Sequence, residues 1–589
     1  MKLIFRSLGR YWRAVVLTIF LKLLGTLSEL TLPYILEHII DKVVPAGELS
    51  QVLLWGGLMF AAALITRQWN VLANRASIEN SHRISYDLRQ ELFQKTIRLS
   101  GNQFDAFGLP SLISRMTSDS YNVQSTVQRL QTLCVRAPML LAGGLVMTLL
   151  MDRSLAMILV FMLPALILIV LAVSARGIPL YARVQTKLDT VVRIMRENIT
   201  GIRVVKALSK TEYEKGRFAG ANRDMTDTDV AAGTVMAVPG PFLQLCLNAG
   251  LTFVVLFGAR RVNEGTLEPG VILAFLTYFN MIAMGVMGLS RILMTLSKGS
   301  ASADRIQEVL DIQPDQRVLS LEEAGTPAGE GYLRFDHVGF RYGQDSRHHE
   351  PLDDSGFAGS SREKALDDIS FTLHKGESLG IIGPTGCGKS TIISLLMRFY
   401  DATEGGVYLE GRDVRTYPLD DLRRRFGVCF QNDMVFQDSL RENVDFGREL
   451  SQEQLWQAVG DAMAKEYVEA LPEGLDYRAA IKGANLSGGQ KQRLLVARAL
   501  AGRPDILILD DSSSALDYRT DSAMRRAIRE GYSDATLILV AQRISSVMGM
   551  SHILVMDNGK CVGYGTHEEL LKTCRAYRET YQIQMGEVV

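Results

Sequence analysis

From Leu155 to Ala175 the chain runs 21 residues without a formally charged side chain, bounded by Arg153 and Arg176. A helix rises 1.5 Å per residue, so this run reaches about 30 Å, the thickness of a bilayer's hydrocarbon core. One such run could be a buried helix of a large soluble protein. Recurrence argues against that: similar stretches lie near 14–36, 52–72, 137–151, 235–258 and 270–296. About six membrane spans are predicted, all before residue 300.

The basic flanks set the orientation. Lys2, Arg6, Arg10 and Arg13 precede the first span, and Lys/Arg-rich segments follow the second (Arg75 to Arg98) and the fourth (Arg176 to Arg223). The positive-inside rule puts these segments in the cytoplasm. Segments 75–133 and 176–234 are too long for tight loops, and their patterning predicts that spans 2 to 5 continue as helices beyond the bilayer. The N-terminal apolar stretch contains Lys22 and Glu29 and lacks a small-residue cleavage site, so it reads as a span and not as a cleaved signal.

The rest of the chain is charged and mixed, as in a soluble domain. Overall, 64 basic and 64 acidic residues cancel, and nothing points to a nucleic-acid partner. Six cysteines (134, 246, 387, 429, 561, 574) show no CxxC spacing, and free thiols are expected.

Ser378 to Met397, SLGIIGPTGCGKSTIISLLM, reads as strand, glycine-rich loop and helix. Gly383, Gly386 and Gly388 let the backbone wrap a polyphosphate, with Pro384, Thr385 and Cys387 completing the loop. Lys389 is placed to reach the β- and γ-phosphates of ATP, the Ser390 hydroxyl to ligate Mg²⁺, and Thr391 to follow it. Ile506 to Asp511, ILILDD, is an apolar strand ending in acid, with Asp510 placed to hold Mg²⁺. Leu486 to Gln490, LSGGQ, sets a hydroxyl (Ser487), two glycines (Gly488, Gly489) and Gln490 at a helix start, which suits a γ-phosphate arriving from another subunit.

These motifs, in this order behind a membrane half, resemble the ABC exporters. SRMTSDSYNVQ (Ser114 to Gln124), ENITGIRVVKALSKTEYEKGRF (Glu197 to Phe218) and ASADRIQEVLD (Ala301 to Asp311) carry the likeness in the first half, although periodicity alone does not separate them from solvated amphipathic helices. The resemblance implies six transmembrane helices with long cytoplasmic extensions, followed by an α/β P-loop ATPase. The expected boundaries are 1–311 for the membrane domain with its coupling helices, 312–330 for a linker and 331–589 for the nucleotide-binding domain. It further implies that Tyr342 stacks on adenine, Gln431 touches Mg²⁺ and Ser514 to Asp517 (SALD) cross a dimer interface. An isolated tyrosine at a strand end is also ordinary packing.

Three positions depart from the pattern. Asp511 stands where active members carry a glutamate that orients the attacking water, and Gln542 where they carry a histidine contacting the γ-phosphate. Ile481 replaces the acidic residue usual before LSGGQ. With Lys389, Ser390 and Asp510 intact, the pair Asp511 and Gln542 resembles the degenerate half of a heterodimeric exporter. Such a chain binds ATP and Mg²⁺ while hydrolysing weakly. It needs a second half-transporter with a competent Walker B glutamate and switch histidine.

The expected localisation is the cell membrane, multi-pass, with the nucleotide domain cytoplasmic and a small hydrophobic or amphipathic substrate exported, multidrug fashion, through the bilayer. A slow homodimeric exporter, an importer on the exporter fold and an ATP-gated regulatory protein remain as alternatives, and drugs, lipids and peptides all remain open as substrates. The polar stretch 343–364 is expected to be a surface loop, in which adjacent His348 and His349 could bind metal. In the membrane, Lys22 and Glu29 are seven residues apart, on one helix face, and Met281, Met284, Met287 and Met294 recur on the last span. Soft thioethers suit a promiscuous cavity, and helix packing explains them equally well.

Overall fold

The structure, a computed structural model, describes residues 1–324, 330–343, 364–512 and 514–586. The interior of the 343–364 stretch, with its two histidines, lies outside them. By contacts the chain forms two compact units, one of Met1–Ile97 with Pro110–Ile312 and one of Arg98–Leu109 with Gln313–Val589.

The first unit is all helix: α1 (Lys2–Arg10), α2 (Trp12–His38), α3 (Leu49–Ile97), α5 (Leu109–Ser114), α6 (Ser120–Met151), α7 (Arg153–Thr200), α8 (Ile202–Ala207), α9 (Thr211–Ala237), α10 (Pro239–Asn263) and α11 (Pro269–Asp311), with α4 (Gly101–Phe107) belonging to the second unit. Among the described residues, six stretches are long and apolar enough to cross a membrane: Trp12–Val43, Leu49–Ile97, Leu109–Met151, Arg153–Thr200, Thr211–Asn263 and Pro269–Asp311. Each expected run falls inside one of them. The second to fifth run 43 to 53 residues, well past the roughly 20 that a bilayer needs, as the long basic segments required.

Packing within this unit is uneven for a physical reason. The most apolar window of α11 is 61% buried, against 6% in α3, so the last span is the axis around which the others gather. It lies closest to α6, where a Cβ added at Gly285 would stand 2.9 Å from the Ala137 carbonyl and one at Gly288 2.6 Å from the Ala137 Cβ. Small residues let helix backbones approach in lipid, where dispersion and interhelical hydrogen bonds replace hydrophobic driving force. In the segment just before α6, Arg115 meets Glu308 of α11 at 2.6 Å, and Arg305 of α11 pairs with the buried Asp119, which also accepts from the Ser302 hydroxyl at 2.8 Å.

Lys22 and Glu29 do not act as a pair. The Lys22 ammonium donates to Asn70 (2.8 Å) and Asn74 (3.3 Å) of α3, while Glu29 accepts from Arg136 of α6 at 2.7 Å. Helical spacing fixes a shared face, but each charge is satisfied by a different neighbour. The methionines also divide: Met281 packs with Leu30, Leu140 and Tyr278, whereas Met284 and Met287 are exposed.

Among the described residues, the second unit holds two sheets built from β1 (Leu333–Phe340), β2 (Leu366–Leu373), β3 (Ser378–Ile382), β4 (Glu404–Leu409), β5 (Arg412–Asp413), β6 (Phe426–Cys429), β7 (Ile506–Asp510), β8 (Thr536–Val540), β9 (His552–Asp557) and β10 (Lys560–Gly565). One sheet has the order β2-β1-β4-β5 with antiparallel neighbours; the other has the order β10-β9-β3-β8-β7-β6 and is parallel except for the β10–β9 edge. β3, β7 and β8 read as continuous apolar runs because helices cover both faces of a parallel sheet.

Helix α4 is seated in this unit. Ser100 and Gln103 form a capping box at its start, the Gly101 amide donates to the Phe399 carbonyl at 2.9 Å, and the Tyr400 hydroxyl donates to Asp105 at 2.7 Å. A side chain at Gly101 would stand 2.5 Å from the Tyr400 ring, so glycine permits the approach. Helix α8 has no buried residue and shows Ile202, Val204 and the following Leu208 to solvent.

Candidate nucleotide-binding site

The loop between β3 and α12 (Lys389–Leu396) needs its glycines for two different reasons. Gly388 has φ +100° and a Cβ there would sit 2.7 Å from the Ala365 carbonyl; at Gly383 a Cβ would sit 2.3 Å from the Met556 carbonyl. The backbone therefore turns tightly under β9 and leaves Pro384, Thr385 and Gly386 exposed at the rim. Cys387 points the other way. Its thiol is 3% exposed, and burial pushes its pKa up, with the nearby Lys389 ammonium only partly offsetting the rise. It can offer a nucleotide its backbone amide but not its sulfur.

The Lys389 ammonium arches over the loop and donates to the carbonyls of Gly383 (2.8 Å) and Pro384 (2.7 Å). Those bonds hold the cation at the mouth of the loop, where phosphate oxygens would replace the carbonyls. The Ser390 hydroxyl donates to Asp510 at 2.9 Å, joining the first turn of α12 to the end of β7. A hydroxyl beside a carboxylate is a hard-oxygen set of the kind Mg²⁺ takes together with water and phosphate. Burial pushes the Asp510 carboxyl up, and the Ser390 hydrogen bond pulls it back.

The next residue belongs to a different group of contacts. Asp511 sits at φ +48°, unusual for a residue with a Cβ. One of its carboxylate oxygens accepts from both Gln542 (3.2 Å) and Gln431 (3.4 Å). Three loops, after β6, β7 and β8, thus converge on one oxygen. Burial pushes the Asp511 carboxyl up, while Lys389 and the two amides pull it down.

Tyr342 meets Phe340 and Tyr400 edge-on, with centroids 4.8 and 5.2 Å apart, and its hydroxyl lies 3.0 Å from that of Thr391. It is half-buried. The structure therefore places it beside α12, packed as an ordinary aromatic and anchored to the nucleotide loop's helix.

Ser487 to Gln490 form a separate cluster. Ser487 caps the helix Gly488–Leu500 by accepting from the Gln490 amide (3.3 Å), while the Gln490 side chain accepts from the Ser487 amide (2.9 Å). Among the described residues, none of the four hydrogen-bonds to the loop 383–391. Ser487 and Gly488 face solvent at the positive end of a 13-residue helix. Ile481 is exposed as well, at the start of a short turn.

Two residues that the sequence did not single out tie these clusters together. Gln492, one turn into that helix, donates to Ser514 (2.9 Å) and accepts from the Ala515 amide (2.9 Å), holding the SALD loop. Gln584 of the C-terminal helix donates to the Gln542 carbonyl (2.9 Å) and accepts from the Ile544 amide (2.7 Å), fixing the loop that carries Gln542. Neither lies in a motif; the separation of 42 residues between Gln584 and Gln542 leaves no local signal.

Residues 15–286 match the family described as ABC transporter transmembrane region, and residues 366–514 the family described as ABC transporter. An uncharacterized ABC transporter ATP-binding protein of Mycobacterium tuberculosis (strain CDC 1551 / Oshkosh) is 33% identical over 574 residues, covering 97% of this chain and 95% of the relative. An ATP-dependent lipid A-core flippase of Syntrophus aciditrophicus is 28% identical over 507 residues, covering 86% of this chain and 81% of the relative. Among solved structures, a bacterial Atm1-family ABC exporter with ATP bound superposes with a TM-score of 0.80 at 23% identity, covering 98% of this chain and 99% of that one.

Proposed function

The chain belongs to the ABC transporters, a multi-pass membrane protein of exporter fold with a cytoplasmic ATPase domain, and from that premise we propose that it is the ATP-holding half of a heterodimeric exporter. Residues 1–311 form its membrane half, apart from 98–109, which group with the second unit, 312–330 form a linker and 331–589 its ATPase. Lys389, Ser390 and Asp510 bind Mg·ATP, with Gly383 to Gly388, Thr391, Tyr342 and Gln431 around it. When bound, Mg²⁺ neutralises charge on the phosphates. The rest of the site hydrolyses poorly.

The observation that carries this reading is the doubly held Asp511 carboxylate. Aspartate is one methylene shorter than glutamate, and displacing a catalytic group by about 1 Å can cost on the order of a hundredfold in rate. Here the shorter acid also accepts from Gln431 and Gln542, which ties the oxygen that would hold a water. A neutral amide at 542 gives no positive charge to a developing phosphoryl transition state. The exposed Ser487 and Gly488, by contrast, remain free to complete a site on a second half-transporter that carries the glutamate and histidine missing here. The exposed apolar tip of α8 supports such a second half, since a chain working alone would leave Val204 and Leu208 in water. The substrate is amphipathic, in keeping with the lipid-handling relative.

The test compares two substitutions in the assembled transporter. Replacing the partner's Walker B glutamate by glutamine should abolish turnover, whereas Asp511→Asn should lower it less than about twofold, because that oxygen already serves hydrogen bonds and not a water. Equal losses would overturn the asymmetric assignment.

A further inference from the structure

Over the 270–291 stretch of α11 the exposed residues form one narrow stripe. Leu273, Asn280, Met284, Met287 and Arg291 recur at helical spacing with the half-buried Thr277 on the same line, and Lys298 continues it past the exposed Leu293 and Ser297. A helix side facing lipid tails would not carry an amide, a guanidinium and an ammonium, each costly in hydrocarbon. The stripe therefore suits a face turned toward water and not toward lipid tails. Its composition changes along its length, from Asn280 and the two thioethers to cations at the cytoplasmic end of the 270–296 run.

A second helix brings another cation to that end. The Arg129 guanidinium of α6 donates to the Thr295 hydroxyl at 3.2 Å. Thr295 lies four residues after Arg291 and three before Lys298 on α11, so its turn stands between them on the same face. Three cations thus converge within about 11 Å of helix rise. Among the described residues, Arg129, Arg291 and Lys298 have no carboxylate partner. Arg136, two turns along α6 from Arg129, is paired with Glu29 and adds no free charge. No acid is near in sequence: α6 contains neither Asp nor Glu over Ser120–Met151, and α11 none before Asp304.

Three like charges gathered beside an apolar, thioether-lined stripe are complementary to an anion carrying a hydrocarbon body. We propose that Arg129, Arg291 and Lys298 bind the anionic headgroup of a membrane lipid taken from the cytoplasmic leaflet, with its hydrocarbon lying along Met284 and Met287. The lipid source follows from the position. The apolar 270–296 run ends at these cations, on the side that the positive-inside rule assigns to the cytoplasm, where an amphiphile presents its charge, and the thioethers lie one to two turns further into the run. Methionine's flexible, polarisable side chain accommodates chains of varying shape. This rests on the reading of the chain as a transporter and names the class of its substrate.

The test uses the full assembly in phosphatidylcholine nanodiscs and measures equilibrium binding of oleoyl lysophosphatidic acid, oleoyl lysophosphatidylcholine and inorganic phosphate. The expected result is a preference of about tenfold for the phosphatidic over the choline headgroup, the scale of one desolvated charge pair, with no competition from phosphate. Arg129→Gln with Arg291→Gln should erase that preference, Arg291→Lys should retain most of it, and Arg183→Gln, an exposed cation on α7, should leave it unchanged. Should the double substitution not assemble, the single ones carry the test at about threefold each. Equal affinity for the two lipids, a preference surviving the double substitution, equal loss with Arg183→Gln, or full competition by phosphate would overturn the proposal. Photolabelling with radioactive ATP is read in parallel. Lost ATP asymmetry with retained lipid preference contradicts the heterodimer reading alone, and the reverse contradicts this inference alone.

Discussion

The two adjacent acids at the end of β7 live in different company. Asp510 is 4% exposed and bonded to the serine of the phosphate loop, while Asp511, half-buried and at positive φ, is bonded to two glutamine amides. One acid belongs to a constellation suited to holding Mg·nucleotide, the other to one from which both charge and reach have been removed. Binding and hydrolysis are separable because they draw on different loops, so one can be kept while the other decays. Substitutions that act on one constellation and spare the other are the way to break this comparison.

The largest effect is expected outside both acids. Ser487→Arg replaces the capping hydroxyl with a bulky cation at the exposed start of the helix Gly488–Leu500. It should cut steady-state ATPase activity of the assembled transporter by about a thousandfold, the scale of losing a main transition-state contact. Unchanged activity would remove the signature from the partner's site.

A smaller effect, opposite in sign, is expected from repair. Asp511→Glu with Gln542→His should raise hydrolysis at this chain's site by about tenfold or more, part of the hundredfold that misplacement costs, when the partner's glutamate has been replaced. Asp511→Glu alone should gain less, because Gln542 would still hold the carboxylate. If the single substitution matches the double, the amide contact has no hydrolytic consequence.

The smallest effect concerns Cys387. A nucleophilic thiol must ionise, and here burial raises its pKa, so thiolate is scarce at neutral pH and increases only as pH rises. Maleimide labelling at pH 7 should be slow, at most about a tenth of the rate for an exposed thiol, and bound Mg·ATP should change it little. Fast labelling that nucleotide blocks would place the sulfur at the nucleotide instead of beneath the loop.

What could be read from the sequence follows from how local each constellation is. The phosphate loop is written in eight consecutive residues, and its strand and helix lie on either side, so its geometry is inherited from the neighbouring chain. The six spans were equally legible because a bilayer demands length and low charge, both visible in one segment. Asp511, Gln431 and Gln542 could be named by position, but the convergence of both amides on one oxygen required the fold. Gln492 and Gln584 carry no sequence signal, since glutamine is common and their partners are remote. In the membrane half, helical spacing sets Lys22 and Glu29 on one face of α2; their partners Asn70, Asn74 and Arg136 depend on which helices neighbour α2, and periodicity carries no such information. For the same reason periodicity alone does not separate the methionines of α11, whereas burial divides Met281 from Met284 and Met287.

The central claim is that one site keeps ATP while the other spends it. During steady turnover of the assembled transporter, nucleotide is trapped at this chain by photocrosslinking radiolabelled ATP and the ATP-to-ADP ratio is read for each subunit. The account predicts ATP as the main species on this chain through several turnovers, with ADP accumulating on its partner. A majority of ADP on this chain would mean that Asp511 and Gln542 support routine hydrolysis, and would contradict the account.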